Sequence, residues 1–306
     1  MPGAERAGFG QPFPAADQRW PVMAMINTEP PINPAFGAQE GRAPTSQPAP
    51  SERVPAWEMP AVTVVGQAES KFREDDRIGT YQQPRWTADR RFPGVRTYVI
   101  PENSVEFEYW TRVDVARHGP SEVQHMFELE FGLPYRLQLD LYAIARSEGS
   151  GGETFFDQQI ELRYAFADYG KIWGNPALYL EYAHREEAPD KVEAKLLLTG
   201  DLGPGWHWGQ NLLFEAETAD EHEFEYGWTG GLSYTVIDQK LSVGAEAQFS
   251  LFDVQHNRGS YTHEAFIGPS VQWRPMPRMH LDLAPLIGIG SESPAAKILF
   301  VFGYEF

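Results

Sequence analysis

The chain has 306 residues, no cysteine and a formal net charge of −18. Disulfides and thiolate metal ligands are therefore excluded, and the acidic balance disfavours nucleic acid, whose affinity comes from Lys and Arg neutralising phosphates. A mean hydropathy of −0.43 and the lack of any run of ~20 apolar residues exclude a helical membrane span, but not a barrel, whose strands carry polar residues at every second position.

The amino-terminal stretch, MPGAERAGFGQPFPAADQRW, lacks the basic region and apolar core of a secretion signal. For an exported protein, that signal would have been removed or lie upstream of this numbering. Residues 1–95 form one compositional block dominated by Pro, Ala, Gly and Gln, as in PPINPAFGAQEGRAPTSQPAPSERVPAWEMP. Such a stretch buries too little apolar area to offset its ordering entropy. It reads as a disordered or extended arm, with the folded domain over residues 96–306. Within the arm, Met59 to Gln67, MPAVTVVGQ, resembles the Ton box of TonB-dependent outer-membrane receptors. That resemblance implies an extended segment pairing with a periplasmic energy transducer. It covers nine residues, the plug domain that should follow such a box is missing, and the chain is too short for a receptor barrel of about 22 strands. The other reading is a β-prone patch in a linker.

From Asn103 the texture changes to period-two alternation, which places successive side chains on opposite faces of a strand. The first predicted strand sets Val105, Phe107, Tyr109 and Val113 against Glu106, Glu108, Trp110, Arg112 and Asp114. Leu137, Leu139 and Leu141 likewise oppose Gln138, Asp140 and Tyr142, and Ile160, Leu162 and Tyr164 oppose Glu161 and Arg163. About twelve such strands follow one another, joined by turn-forming sequences such as HGPSE, SEGSGGE and QHNRGS. Short connections favour up-and-down antiparallel order. Closure into a barrel explains why so many long strands need no edge protection. Pro269 and Pro285 fall inside predicted strands, where each removes a ladder donor. They mark bulges, or strand boundaries that lie elsewhere. A large soluble β-sandwich is the competing fold, but it leaves the wide aromatic face unexplained.

The last predicted strand, Ala295 to Phe306, puts Ile298, Phe300, Phe302, Tyr304 and Phe306 on one face. An aromatic final residue on an amphipathic strand resembles the closing strand of bacterial outer-membrane β-barrels, and that terminus implies recognition of Phe306 by the barrel-insertion machinery. The repeating strands resemble small porin-like outer-membrane channels. The fold expected is an all-β, up-and-down transmembrane barrel of about twelve strands, in contact with the lipid bilayer. Trp206, Trp208, Trp273, Tyr304 and Phe306 gather near strand ends as interfacial aromatics. The function that the resemblance implies is a passive channel for small solutes; the alternative is a scaffold barrel of a larger envelope complex, tethered through its arm.

If the apolar face meets lipid, the opposite face lines the lumen, and it is predominantly acidic. Glu128, Glu130, Asp140, Glu161, Glu181, Glu193, Glu215 and Glu246 lie on it, with Arg112, Arg136 and Arg163 as interleaved bases. Counting across the turn at Leu133-Pro134-Tyr135 puts Glu128 near Asp140, with Glu161, Glu181 and Glu193 close to the same level. Like charges opposite each other on a sheet are unfavourable, so the belt needs bases, bound cations or raised carboxyl pKa values. Two readings stand: a solvated wall held by Arg–Glu ladders, and a cation-preferring constriction or a site for a basic solute.

Catalytic residues, cofactors and metal ligands are not expected. Outer-membrane phospholipases place a Ser–His pair on the lipid-facing rim, whereas His263 has no Ser two residues away on its face. The eight histidines show no spacing that sets two ligands on one strand face, and His207, between Trp206 and Trp208, reads as part of an interface motif. GSGG at Gly149 to Gly152 is a loop tip and not a phosphate cradle, because no strand-to-helix junction follows it.

Overall fold

A computed structural model describes residues 73–149, 152–219 and 222–306. Residues 1–72, including the Ton-box-like Met59 to Gln67, lie outside the described residues.

The period-two alternation produces twelve antiparallel strands. They are β1 (Val105–Val115), β2 (Glu122–Leu133), β3 (Leu137–Glu148), β4 (Thr154–Ala165), β5 (Ala177–His184), β6 (Lys191–Gly203), β7 (Trp206–Glu217), β8 (Phe224–Ile237), β9 (Leu241–Asp253), β10 (Thr262–Met276), β11 (Met279–Ile289) and β12 (Ala296–Glu305). Each strand pairs with its sequence neighbours, and β12 closes on β1 from Glu305↔Glu106 to Ala296↔Val115. Closure pairs the backbone N–H and C=O groups that hydrocarbon would otherwise leave unsatisfied. The outward residues are apolar and exposed, among them Phe127, Leu141, Ile160, Leu180, Leu212 and Leu283. A closed barrel with so continuous an apolar outer band belongs in a bilayer, because soluble monomers rarely expose patches beyond a few hundred Å². Trp206, Trp273, Tyr304 and Phe306 are exposed near the end where β1 begins and β12 finishes, and Trp208 beside them is half-buried.

Pro269 and Pro285 neither end strands nor produce bulges. Pro269 is in register with Ala245 of β9, and Pro285 with Ile298 of β12. Between β10 and β11 the pairing passes from Ile267↔Ile287 to Val271↔Leu283, and the interval holds both prolines. The ladder there lacks two donors, and the chains stay close: a Cβ on Gly268 would lie 2.2 Å from the Pro285 carbonyl oxygen.

The expected domain boundary at residue 95 is corrected by the structure. Residues 73–104 are an ordered segment folded inside the barrel. It opens with a 3-10 turn, Arg73–Asp75, continues through a two-residue ladder, Arg77–Ile78 with Gln83–Pro84, and a second 3-10 turn, Arg85–Thr87. Trp86, Phe92, Val95, Tyr98 and Val99 are buried. Tyr81, Tyr98 and Val99 pack with the wall residues Ala165, Ala177, Tyr179 and Leu197 and with Tyr169 of the β4–β5 connection. Alone, so short a stretch has no core. Against the wall, each large side chain gains ~1.5–3 kcal/mol on burial.

Leu283, in the middle of β11 and exposed on the outer face, tests the bilayer assignment. Leu283→Arg is expected to destabilise the barrel by ~2–4 kcal/mol, the cost of arginine at the bilayer midplane. Denaturant titration of lipid-reconstituted protein measures it; an unchanged midpoint would contradict a lipid-facing Leu283.

Candidate functional site

The strand registers bring the predicted acidic residues together in an order that single strands do not reveal. Glu106 of β1 is opposite Glu130 of β2, Glu130 opposite Asp140, Asp140 opposite Glu161, and Glu161 opposite Glu181. The row continues through Glu193 and Glu215 to Glu225 of β8. One carboxylate from each of β1 to β8 thus forms a continuous ladder. Barrel strands tilt against the axis, so this row climbs from the start of β1, at the terminus end, to the start of β8, at the opposite loop end. The expected Glu128–Asp140 pairing is replaced by Glu130–Asp140, and Glu128 faces Tyr142.

Arginines of the lumenal segment occupy the lower half of the ladder. Arg90 donates from Nε to both Glu108 oxygens at 2.9 Å, and from Nη2 to Glu108 at 2.5 Å and Glu130 at 3.2 Å. Its guanidinium lies over Trp110 at 4.1 Å, and the Trp110 indole donates to Glu108 and Glu128, each at 2.9 Å. Arg96 donates to Glu128 at 2.7 Å and lies 3.7 Å from Glu161. From the wall, Arg163 reaches Glu161 at 2.5 Å and Asp140 at 3.1 Å. All these carboxylates are buried. The segment's tip is fixed as well: the Gly94 N–H donates to Glu246 at 2.7 Å, and the Arg96 N–H to Asn211 at 3.0 Å.

Above the segment the lumen opens into a cavity of about 510 Å³. Glu181, Glu193 and Glu215 line it with Arg112; Asp157, Glu122, Glu225 and Glu264 add acidic groups, and Arg146, Arg185, Lys191, Lys195 and Lys297 basic ones, over a floor containing Arg90 and Arg96. Several are paired: Arg112 with Asp114, Arg146 with Asp157, Lys191 with Glu215, and Lys195 with Glu193. Below the segment, a cavity of about 420 Å³ opens at the terminus end. Between them lies a space of about 20 Å³, which shares Arg90 and Arg96 with the upper cavity and Asp89 with the lower. That is room for about one water molecule.

Arg136 is not part of the belt. It lies in the β2–β3 turn, where its Nε donates to the Ala165 carbonyl and its guanidinium pairs with Asp168 at 3.2 Å. His207 is not an interface residue: it is fully buried, with Nε2 3.0 Å from Glu74 and Nδ1 2.8 Å from Asp201. Burial raises the Glu74 carboxyl, but the hydrogen bond to His207 and the charge of Arg91 outweigh it and hold Glu74 below its ordinary value. His280, opposite Gly303 in β12, is buried between Glu106 at 2.8 Å and Asp282 at 2.5 Å. Any Cβ at Gly303 would collide with its ring. The periodicity places Glu106, Glu108 and His280 on the inner face but gives no reason to single them out. Arg90, Arg91 and Arg96 carried one signal, a basic cluster within the arm of an otherwise acidic chain.

No protein-family model and no curated sequence matches the chain. Among solved structures, an outer membrane channel from Pseudomonas putida F1 superposes with a TM-score of 0.50 at 11% identity, over 68% of this chain and 97% of that one. The NanC porin superposes with a TM-score of 0.48 at 9% identity, covering 66% of this chain and 98% of the porin. A KdgM porin in complex with disordered oligogalacturonate gives 0.41 at 8% identity, with coverages of 66% and 98%. The first likeness is one of fold. With its closed barrel and apolar outer band, this chain has the porin-like architecture of an outer-membrane β-barrel.

Removing one partner of a buried ion pair leaves an uncompensated charge, at a cost of ~3–5 kcal/mol. Arg96→Ala is therefore expected to lower the stability of the folded barrel by about that amount, read from denaturant unfolding in detergent. A loss below ~1 kcal/mol, the range of exposed pairs, would contradict the burial of this network.

Proposed function

We propose that this barrel is a passive outer-membrane channel for small solutes, with a preference for cations. The observation that carries the reading is the carboxylate ladder, which follows the wall from one end of the lumen to the other. Around the upper cavity Glu181 and Glu225 of the ladder, with Glu122 and Glu264 beside it, have no ion-pair partner among the described residues, whereas Lys297 is the corresponding unpaired base. The surplus is negative, and fixed charge on a low-dielectric wall concentrates counter-ions. Screening acts over ~8 Å at physiological ionic strength, so the potential extends from the wall into the cavity. Glu161, between Arg96 of the segment and Arg163, and Asp140, paired with Arg163 of the wall, are neutralised locally rather than free to select ions.

A scaffold role is the second reading, favoured by the filling of the lower lumen by residues 73–104. On either reading, Phe306 is the contact for barrel insertion, and the amino-terminal arm is a candidate tether for a periplasmic partner.

Planar-bilayer recording of the purified chain distinguishes the two readings. A channel gives discrete conductance steps and a reversal potential that favours cations in a salt gradient. Glu181→Gln with Glu225→Gln and Glu264→Gln reduces that preference with little effect on folding, since these groups are partly solvated. Weakening the segment through Arg90→Ala raises the conductance. Silent bilayers for the wild type and for Arg90→Ala would overturn the channel reading in favour of the scaffold.

A further inference from the structure

At the terminus end of the lumen, a separate group of side chains joins the lumenal segment to the wall. Glu74 and Asp75, in the first turn of the segment, face His207 of β7. His207 Nε2 lies 3.0 Å from Glu74 Oε1 and 3.8 Å from Asp75 Oδ1. On the far side of the ring, Nδ1 lies 2.8 Å from Asp201 Oδ1. Trp86 stacks on the imidazole at 4.4 Å and donates its indole N–H to the same Asp201 oxygen at 2.8 Å.

A doubly protonated imidazole bridging Glu74 and Asp201 would account for part of this arrangement, but two observations go beyond it. Asp75 Oδ1 is buried and has no hydrogen-bond partner. In addition, three carboxylates, Glu74, Asp75 and Asp201, face one guanidinium, Arg91, at 3.3 Å from Glu74. Arg274, whose charge also reaches Glu74, is matched by Asp89 at 2.9 Å. The carboxylates of the group thus outnumber its guanidinium by two.

We infer that Glu74, Asp75 and His207 form a binding site for one divalent transition cation of the Zn²⁺ or Mn²⁺ class, with Asp201 as the residue that orients the imidazole. One imidazole nitrogen and two carboxylate oxygens are a donor set that such ions accept. A carboxylate on Nδ1 fixes the tautomer that turns the Nε2 lone pair towards the ion. Metal–ligand bonds of ~2.1 Å set donor atoms ~3.0–3.4 Å apart at octahedral to tetrahedral angles. The Glu74–His207 distance meets this, the His207–Asp75 distance of 3.8 Å exceeds it by a few tenths of an ångström, and all three donor atoms lie within 4.8 Å of one another. The Asp75 side chain is 24% exposed, which supplies both the freedom to close that difference and a route for the ion. A bound cation pins the first turn of the segment to the wall, so metal occupancy tightens the seating of the segment. The site stands whether or not the barrel conducts ions.

The test uses the full chain folded in detergent and stripped with EDTA, titrated calorimetrically with Zn²⁺ and with Mn²⁺. The expected result for at least one ion is saturable binding of one equivalent per chain, abolished in His207→Gln and weakened at least tenfold in Asp75→Asn. Asp201→Asn, which leaves the three ligands in place, is expected to weaken binding by ~10–100-fold. The heat-dependent gel shift of each variant checks its folding. Zinc-edge X-ray absorption on the unaltered chain keeps the inference testable if a variant misfolds: it should show one imidazole nitrogen and carboxylate oxygens at ~2.0–2.2 Å. The absence of stoichiometric binding, equal binding in His207→Gln, or a zinc shell without imidazole would each overturn it.

Discussion

Mutual repulsion of carboxylates held in register around the inner wall is the constraint on which the rest of this structure depends. Hydrogen-bonded strands fix their side chains at separations the side chains cannot relax, and like charges placed opposite each other oppose pairing. Here the opposition recurs from strand to strand, from Glu106 to Glu225. A sheet with this pattern holds together if cations lie among the carboxylates or some of the carboxyls keep their protons. The wall supplies Arg163, Lys191 and Lys195. In the lower half, where burial is complete, the chain threads its own amino-terminal segment through the lumen and supplies Arg90 and Arg96.

The segment and the wall complete each other. Its arginines find their acidic partners on the wall, and the wall's buried carboxylates Glu108, Glu128 and Glu130 find their bases in the segment. Buried ion pairs often repay only their own desolvation, so the net stabilisation comes from what accompanies them: Trp86, Phe92 and Tyr98 are buried, and backbone N–H groups at Gly94, Arg96 and Ile100 donate to wall side chains. The ion pairs contribute specificity of placement. A guanidinium stacked on Trp110 and forked onto Glu108 fits one orientation, so the polar contacts set where the apolar ones fall.

Much of the barrel was legible in the sequence because period-two alternation is a local property: strand count, up-and-down order and the identity of the inner face follow from it. Register was not, since it depends on turn geometry. The β2–β3 turn spans Pro134–Arg136, and Tyr135 and Arg136 both take φ of 63°. Its centre therefore lies one residue later than Leu133-Pro134-Tyr135 suggests, which exchanges Glu128 for Glu130 opposite Asp140. The same turn withdraws Arg136 from the lumen. The lumenal segment was illegible for a different reason. Residues 73–95 follow a long Pro-, Ala- and Gly-rich stretch and show no strand periodicity, and much of their order comes from contacts with strands far along the chain, such as Arg91 with Ser233 and Thr235. His207 shows the same limit: flanking tryptophans suggested an interface, but alternation turns it inward, to Glu74 across 133 residues of sequence.

The central claim is that residues 73–104 are a seated part of the lumen. Hydrogen–deuterium exchange of the full chain in detergent measures this directly, through the amides of Gly94, Arg96 and Ile100, which donate to Glu246, Asn211 and Gln138 at 2.7, 3.0 and 2.8 Å. Seating predicts that these amides exchange as slowly as those of the barrel strands and lose protection only when the barrel unfolds. Exchange at the rate of an unstructured chain, while the strands stay protected, would contradict it.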